Sequence, residues 1–131
     1  MANELTIGKL NTLSLYGEYE VGELLKPLQN EIMLFKTYIA GITHLDDDEP
    51  VDKLETGDKL ILKRQPENRF DEKAILVLDQ KERKLGYVPE KDNIVFTRLM
   101  DAGKYLTAKV VDINDAGYFR KVGIEIYLVD F

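Results

Sequence analysis

The sequence predicts a mainly β fold, a small barrel of six strands with one main helix, preceded by a short N-terminal extension. Three observations carry this. Between Arg120 and Val129, the side chains of Val122, Ile124, Ile126 and Leu128 fall on one side of an extended chain and Gly123, Glu125, Tyr127 and Val129 on the other, the period of two that marks a half-buried strand. Five further short apolar stretches are separated by proline, glycine and Asn/Asp turn formers. Within residues 31–131 Glu90 to Ala102 reads as the main helix. Six strands within residues 31–131 favour a closed or nearly closed barrel, because closure removes exposed sheet edges.

The elements follow in order. Residues 1–30 hold leucines and isoleucines interrupted by Gly8, Gly17, Gly22 and Pro27, a pattern of short helices or irregular packing that reads as an extension separate from the domain at 31–131. Gly17 and Gly22 have the spacing of a phosphate-binding P-loop, but Glu23-Leu24 stands where Lys and Ser or Thr are required, so that reading is discarded. Ile32 to Ala40 is a strand, apolar on both faces, broken by Gly41. Asp46 to Glu49 is a consecutive acidic run without the alternation and glycine turn of a calcium loop, and reads as solvated. Val51 to Glu55 suits one helical turn. Lys59 to Lys63 and Ala74 to Leu78 are strands joined by a charged loop. Lys84 to Val88 is a short strand ended by Pro89. In the helix, Val95, Leu99 and Ala102 share a face with Ile94 and Phe96 nearby, and Gly103 is placed to stop it. Lys104 to Ile113 pairs with Arg120 to Val129 across the turn Asn114-Asp115-Ala116-Gly117.

Composition narrows the function. A hydrophobic content of 44% over 131 residues supports one core. The absence of cysteine removes disulfides, thiolate metal sites and a cysteine nucleophile. The first thirty residues lack a basic segment followed by an uninterrupted apolar one, and no run approaches the about 20 apolar residues that span a bilayer, so the expectation is a cytoplasmic protein without membrane contact. The net charge of −6 argues against tight non-specific binding to duplex DNA. From Asp58 to Lys84, however, eight basic residues face six acidic ones, a local balance of +2 that leaves −8 on the remainder. A phosphate-binding surface belongs on this middle segment.

Its centre is the loop Arg64-Gln65-Pro66-Glu67-Asn68-Arg69-Phe70-Asp71-Glu72-Lys73, where Phe70 is an aromatic set among charges. One reading makes Phe70 a plug over the end of the core, with Asp71 bracing the loop. The other makes the loop a nucleotide site. Arg64, Arg69 and Lys73 neutralise phosphate, Phe70 offers a ring face to a base, and Asn68 offers both donors and acceptors to a base edge. Asp71 repels an anionic polymer unless something there donates to it, and the free 3′ hydroxyl of a strand end is such a donor.

The run Leu60 to Ile75, with Gly57-Asp58 before it and Lys84-Leu85-Gly86-Tyr87-Val88-Pro89 after it, resembles the HIRAN domain. Ala40-Gly41-Ile42-Thr43-His44 is similar to the end of that domain's first strand, and the resemblance covers about Glu31 to Phe131. HIRAN domains occur at the front of fork-remodelling ATPases of the Swi/Snf class and as small bacterial proteins. The resemblance implies a barrel similar to an OB fold and binding of the 3′ end of single-stranded DNA, in a repair or replication context, with any ATPase or nuclease supplied by a separate chain. By position it implies that Asn68 contacts a base, Phe70 forms an aromatic wall and Asp71 holds the terminal hydroxyl. After Gly41, where DNA-binding members can carry a basic residue and an aromatic, this chain has Thr43 and His44, which weakens a phosphate contact and a stacking ring. His44, the only histidine, reads as a solvated loop residue, or as one that stacks on a base or, once protonated, touches phosphate. Lys91, at the start of the helix, is expected to face the pocket.

Catalysis finds little support. With one serine, one histidine and no cysteine, a triad would have to join Ser14 to His44. Asp71 with Glu82-Arg83-Lys84 has the Asp…Glu-x-Lys look of a magnesium-dependent nuclease, although Glu82 falls in the turn expected at Gln80 to Arg83. The expectation is a binding module without catalysis or cofactor, with a protein-interaction module as the alternative and the nuclease third.

Overall fold

In a computed structural model, which describes residues 30–117 and 119–130, six antiparallel strands form one sheet in the order β1-β6-β5-β2-β3-β4. The strands are β1 (Asn30–Tyr38), β2 (Lys59–Arg64), β3 (Ile75–Leu78), β4 (Lys84–Tyr87), β5 (Tyr105–Ala116) and β6 (Phe119–Asp130). A 3-10 turn (Ile42–His44) and a short helix α1 (Glu49–Asp52) link β1 to β2, and α2 (Asn93–Asp101) links β4 to β5. Among the described residues no helix is long and apolar enough to cross a membrane. The expectations for 1–29, including the P-loop spacing and Ser14, lie outside the described residues.

The alternation in β6 does what it predicts, with Val122, Ile124 and Ile126 fully buried. Across the sheet they meet Leu106, Ala108 and Val110 of β5, Leu60 and Leu62 of β2, Ile75 and Val77 of β3 and Leu85 of β4, which together make the core. The outer strands do not form a ladder with each other. They meet at one bridge, where Ala40 and Tyr87 exchange two backbone hydrogen bonds of 2.8 and 2.9 Å, so the OB-like barrel is drawn together loosely rather than fully closed.

Four expectations about elements need correction. First, β1 ends at Tyr38 and is not apolar-buried on both faces: Ile32, Met33 and Phe35 remain between 40% and 52% exposed. It is an edge strand of the sheet, and Ile39, just past its end, is buried in the core. Second, β5 runs three residues beyond Ile113, so the hairpin turn falls after Ala116. Third, α1 begins at Glu49, before the expected Val51, with Pro50 in its first turn, where a missing N–H costs nothing.

Fourth, α2 is shorter than Glu90 to Ala102 and turned about its axis. Pro89 to Asp92 form a turn closed by the Asp92 N–H donating to the Pro89 carbonyl, and the helix starts only at Asn93. Its buried face is Asn93, Phe96 and Thr97, while Val95 stays 58% exposed. The reason is polar. The Thr97 hydroxyl donates to the Lys73 carbonyl at 2.7 Å, and the Asn93 amide donates to Asp71 at 2.8 Å, so the helix docks by hydrogen bonds on the β2–β3 loop while Phe96 enters the core.

At the far end of β3, Asp79 organises the β3–β4 turn. Its carboxylate accepts the Lys81 and Arg83 N–H groups and the Arg83 guanidinium, at 2.8–2.9 Å. Burial raises the Asp79 carboxyl, but the hydrogen bonds from Arg83 and Lys81 outweigh it and hold the group below its ordinary 3.8. A depressed carboxylate contributes stability that is present above the unfolded value and is lost as pH falls through the folded one. Asp79→Asn is therefore expected to cost about 1–2 kcal/mol at pH 7, and the gap to the native chain to close in strong acid. Urea denaturation at both pH values reads this, and an unchanged gap refutes it.

Candidate nucleic-acid interface

The β2–β3 loop, residues 65–74, lies at the end of the barrel where β2 stops, β3 starts and β4 delivers its chain to α2. Its shape follows from its turn residues. The Gln65 N–H donates to the Ala74 carbonyl at 3.0 Å and closes the loop at its base. Pro66 and Glu67 occupy the centre of a turn closed by the Asn68 N–H on the Gln65 carbonyl, a position that proline's fixed φ favours. Asn68 Oδ1 then accepts the N–H groups of Phe70 and Asp71, at 2.9 and 3.0 Å, and Asp71 Oδ1 accepts the N–H of Lys73 at 2.9 Å. These are side chains that mimic backbone turns.

The backbone bonds force Phe70 outward. Its ring is 94% exposed, which excludes the reading of Phe70 as a plug over the core. Beside it opens a cleft of about 600 Å³, bounded on the loop side by Gln65, Asn68, Arg69, Phe70 and Asp71. The opposite wall is made by Ala40, Gly41, Tyr87, Val88, Glu90 and Asn93.

The floor is polar and ordered. Asp71 Oδ2 accepts the Asn93 amide at 2.8 Å, so the carboxylate is held from the loop side by Lys73 and from the helix side by Asn93. Each oxygen keeps a lone pair for one more donor. Gln65, Asn68 and Tyr87 form a second group: the Asn68 amide and the Tyr87 hydroxyl both donate to Gln65 Oε1, at 2.8 Å each. Lys84 lies 4.8 Å above the Tyr87 ring. The lining carries three carboxylates (Glu67, Asp71, Glu90) against two cations (Arg69, Lys84). A phosphate has no favourable place at the floor, whereas an uncharged hydroxyl donor does.

The residues expected at a site divide into two sets. Gly41, Asn68, Arg69, Phe70 and Asp71 line the one cleft together. Asn68 does so as the residue that shapes the loop, with its amide donating to Gln65 and its oxygen accepting two N–H groups. Arg64 does not line the cleft: its guanidinium binds Asp101 at 2.9 Å and the carbonyls of Ala74 and Glu72 at 2.7 and 3.0 Å, clamping the loop to the end of α2. Lys91 also lies off the cleft, paired with Asp92 at 3.5 Å and set over the Tyr38 ring at 5.7 Å. Thr43 lines a separate, smaller pocket of about 320 Å³, and His44 is exposed in the 3-10 turn.

Gln65, Tyr87 and Asn93 belong to the site and were missed as functional. Tyr87 gave a faint signal as the one polar-tipped aromatic in the short strand before Pro89, and Asn93 gave another by sharing the i, i+3, i+4 register of Phe96 and Thr97. The nuclease pattern does not assemble. Asp71 and Glu82 sit in the loops at opposite ends of β3, and among the described residues no three His, Asp or Glu side chains are placed to hold a metal ion.

A model of the HIRAN domain matches residues 32–129. No curated protein matches the chain. Among solved structures, a protein from Lactobacillus plantarum is similar with a TM-score of 0.72 at 23% identity, over 79% of this chain and 99% of that one. The HIRAN domain of human HLTF is similar with a TM-score of 0.60 at 14% identity, over 76% of this chain and 78% of that one. At such identities the two structures report a shared fold.

Proposed function

The chain belongs to the HIRAN domain family, and from that premise we propose that it is a nucleic-acid-binding module that holds the 3′-hydroxyl end of single-stranded DNA. The observation that carries this reading is the pairing of Phe70, 94% exposed, with Asp71 fixed at the floor of the adjoining cleft. A solvent-exposed phenyl ring beside a nucleotide-sized cleft stacks on the last base, which removes apolar surface from water. The carboxylate accepts the terminal hydroxyl. Arg69 and Lys84, free of ion pairs among the described residues, are the two cations lining the cleft and serve the first internal phosphate. Thr43 and His44 take no part at the floor, and Lys91 serves a strand that leaves the cleft over Tyr38.

Two cations against three carboxylates imply modest affinity with a weak dependence on salt. No reaction is assigned to the module; in DNA repair or replication an ATPase or nuclease on a separate chain acts on the end it holds. The same acidic lining favours the second reading, a protein-interaction module.

Fluorescence anisotropy with labelled oligonucleotides ending in a 3′ hydroxyl, ending in a 3′ phosphate, or circular, each with and without Mg²⁺, separates the readings. End binding requires the hydroxyl end alone to bind. Phe70→Ala is expected to weaken that binding by about 1–3 kcal/mol, roughly 5- to 150-fold, without altering stability, since the ring has no packing to lose. Indifference to every oligonucleotide leaves the interaction module, and Mg²⁺-dependent degradation revives the nuclease.

A further inference from the structure

Asn93 is 2% exposed, opens α2 and lines the cleft. Its amide nitrogen donates to Asp71 Oδ2 at 2.8 Å. Because a carboxylate only accepts, that bond fixes which end of the amide is oxygen. Asn93 Oδ1 then has no donor among the described residues. A buried carbonyl oxygen left without a donor is costly, so the floor of the cleft offers two acceptors side by side, the Asp71 carboxylate and the Asn93 amide oxygen.

One terminal hydroxyl satisfies only one of them. The sugar that carries two donors on neighbouring carbons is ribose, whose 2′ and 3′ hydroxyls are cis. Resting on the reading of the cleft as a strand-end site, we infer that it takes the terminal sugar as a cis-diol, the 3′ hydroxyl donating to Asp71 and the 2′ hydroxyl to Asn93 Oδ1. A strand ending in a ribonucleotide therefore binds in preference to one ending in a deoxyribonucleotide. The requirement is consistent with end recognition, since within a strand the 3′ oxygen is esterified and no cis-diol exists. The 2′ hydroxyl is the group by which a protein tells the two sugars apart. With deoxyribose, a methylene faces the amide oxygen and leaves it unpaired.

The test uses one oligonucleotide sequence with four 3′ termini, deoxyribose, ribose, 2′-O-methylribose and 2′,3′-dideoxyribose, titrated against the full chain and against Asn93→Leu. Ribose is expected to bind about tenfold more tightly than deoxyribose, the worth of one hydrogen bond to a buried acceptor. The 2′-O-methyl end, which accepts but does not donate, is expected to bind no better than deoxyribose, and Asn93→Leu to erase the ribose advantage. If Asn93→Leu does not fold, the 2′-O-methyl end makes the same distinction on the native chain. Equal binding of ribose and deoxyribose, or a 2′-O-methyl end as tight as ribose, overturns the cis-diol inference and leaves end recognition standing if the dideoxy end is weak. A dideoxy end as tight as deoxyribose overturns end recognition itself, and the inference with it.

Discussion

Asp71→Ala is expected to abolish the difference between a 3′ hydroxyl and a 3′ phosphate, lowering affinity for the first and raising it for the second. Two effects act on the native carboxylate. A hydrogen bond from the terminal hydroxyl to a charged acceptor is worth about 1.5–3 kcal/mol, or roughly 10- to 150-fold in affinity. A phosphate in the same place meets like charge, a repulsion of about 4 kcal/mol for a pair 4 Å apart near a protein surface. Removing the carboxylate deletes both, so the ratio of the two affinities collapses even if neither absolute value is large. Alanine also frees the Lys73 N–H and the Asn93 amide that Asp71 holds, which loosens the loop. Asp71→Asn removes the charge while keeping the side-chain shape and an oxygen for Lys73, and with the Asn93 amide turned so that its oxygen accepts the new NH2 the loop stays docked, so the variant relieves the phosphate penalty without freeing the loop. The readout is the ratio of dissociation constants by anisotropy, with thermal melts to confirm folding. An unchanged ratio in Asp71→Ala excludes this carboxylate as the reader of the end.

The residues that made the loop legible are those whose chemistry is local. Pro66, Asn68 and Asp71 fold back on backbone groups within a few positions, so the turn is legible in the sequence, whereas the choice between Phe70 as a plug and Phe70 as an exposed ring needed the structure. The alternation of β6 was legible for the same reason: period two is a property of one strand. What depends on distant partners was not. Arg64 reads as a phosphate ligand by charge, and only its ion pair with Asp101, 37 residues on, shows that it clamps the loop. In α2, apolar spacing pointed to Val95 as core, because a pattern that counts polar residues as outward cannot register that Asn93 and Thr97 are buried by their bonds to the loop. For β1, apolar content marks a strand but not its place at the edge of the sheet, where such residues remain exposed.

Gly86→Ala is expected to be the most destabilising single methyl in the described chain. Gly86 has φ +152°, a conformation that side chains rarely adopt, and an added Cβ would run into the Ala40 carbonyl oxygen and, at 2.5 Å, the Ile39 Cγ2. Neither neighbour yields cheaply. Ile39 is buried in the core, and the Ala40 carbonyl accepts the Tyr87 N–H at 2.9 Å in the bridge that joins the outer strands. Backbone strain of about 1–3 kcal/mol therefore adds to an overpacking cost of about 1–3 kcal/mol, and for a domain of about 100 residues the sum lowers Tm by about 10–30 °C. Gly57→Ala isolates the first contribution: Gly57 has φ +97° but nothing within 4 Å of an added Cβ, so it bears strain without a clash. The bridge also holds together the wall of the cleft opposite the loop, joining Ala40 and Gly41 to Tyr87. At temperatures where Gly86→Ala remains folded, its oligonucleotide binding should fall further than that of Gly57→Ala at matched stability. Equal Tm values for the two variants would mean that the bridge can open at little cost, and that the end of the barrel carrying the cleft is held by the β2–β3 loop and α2 alone.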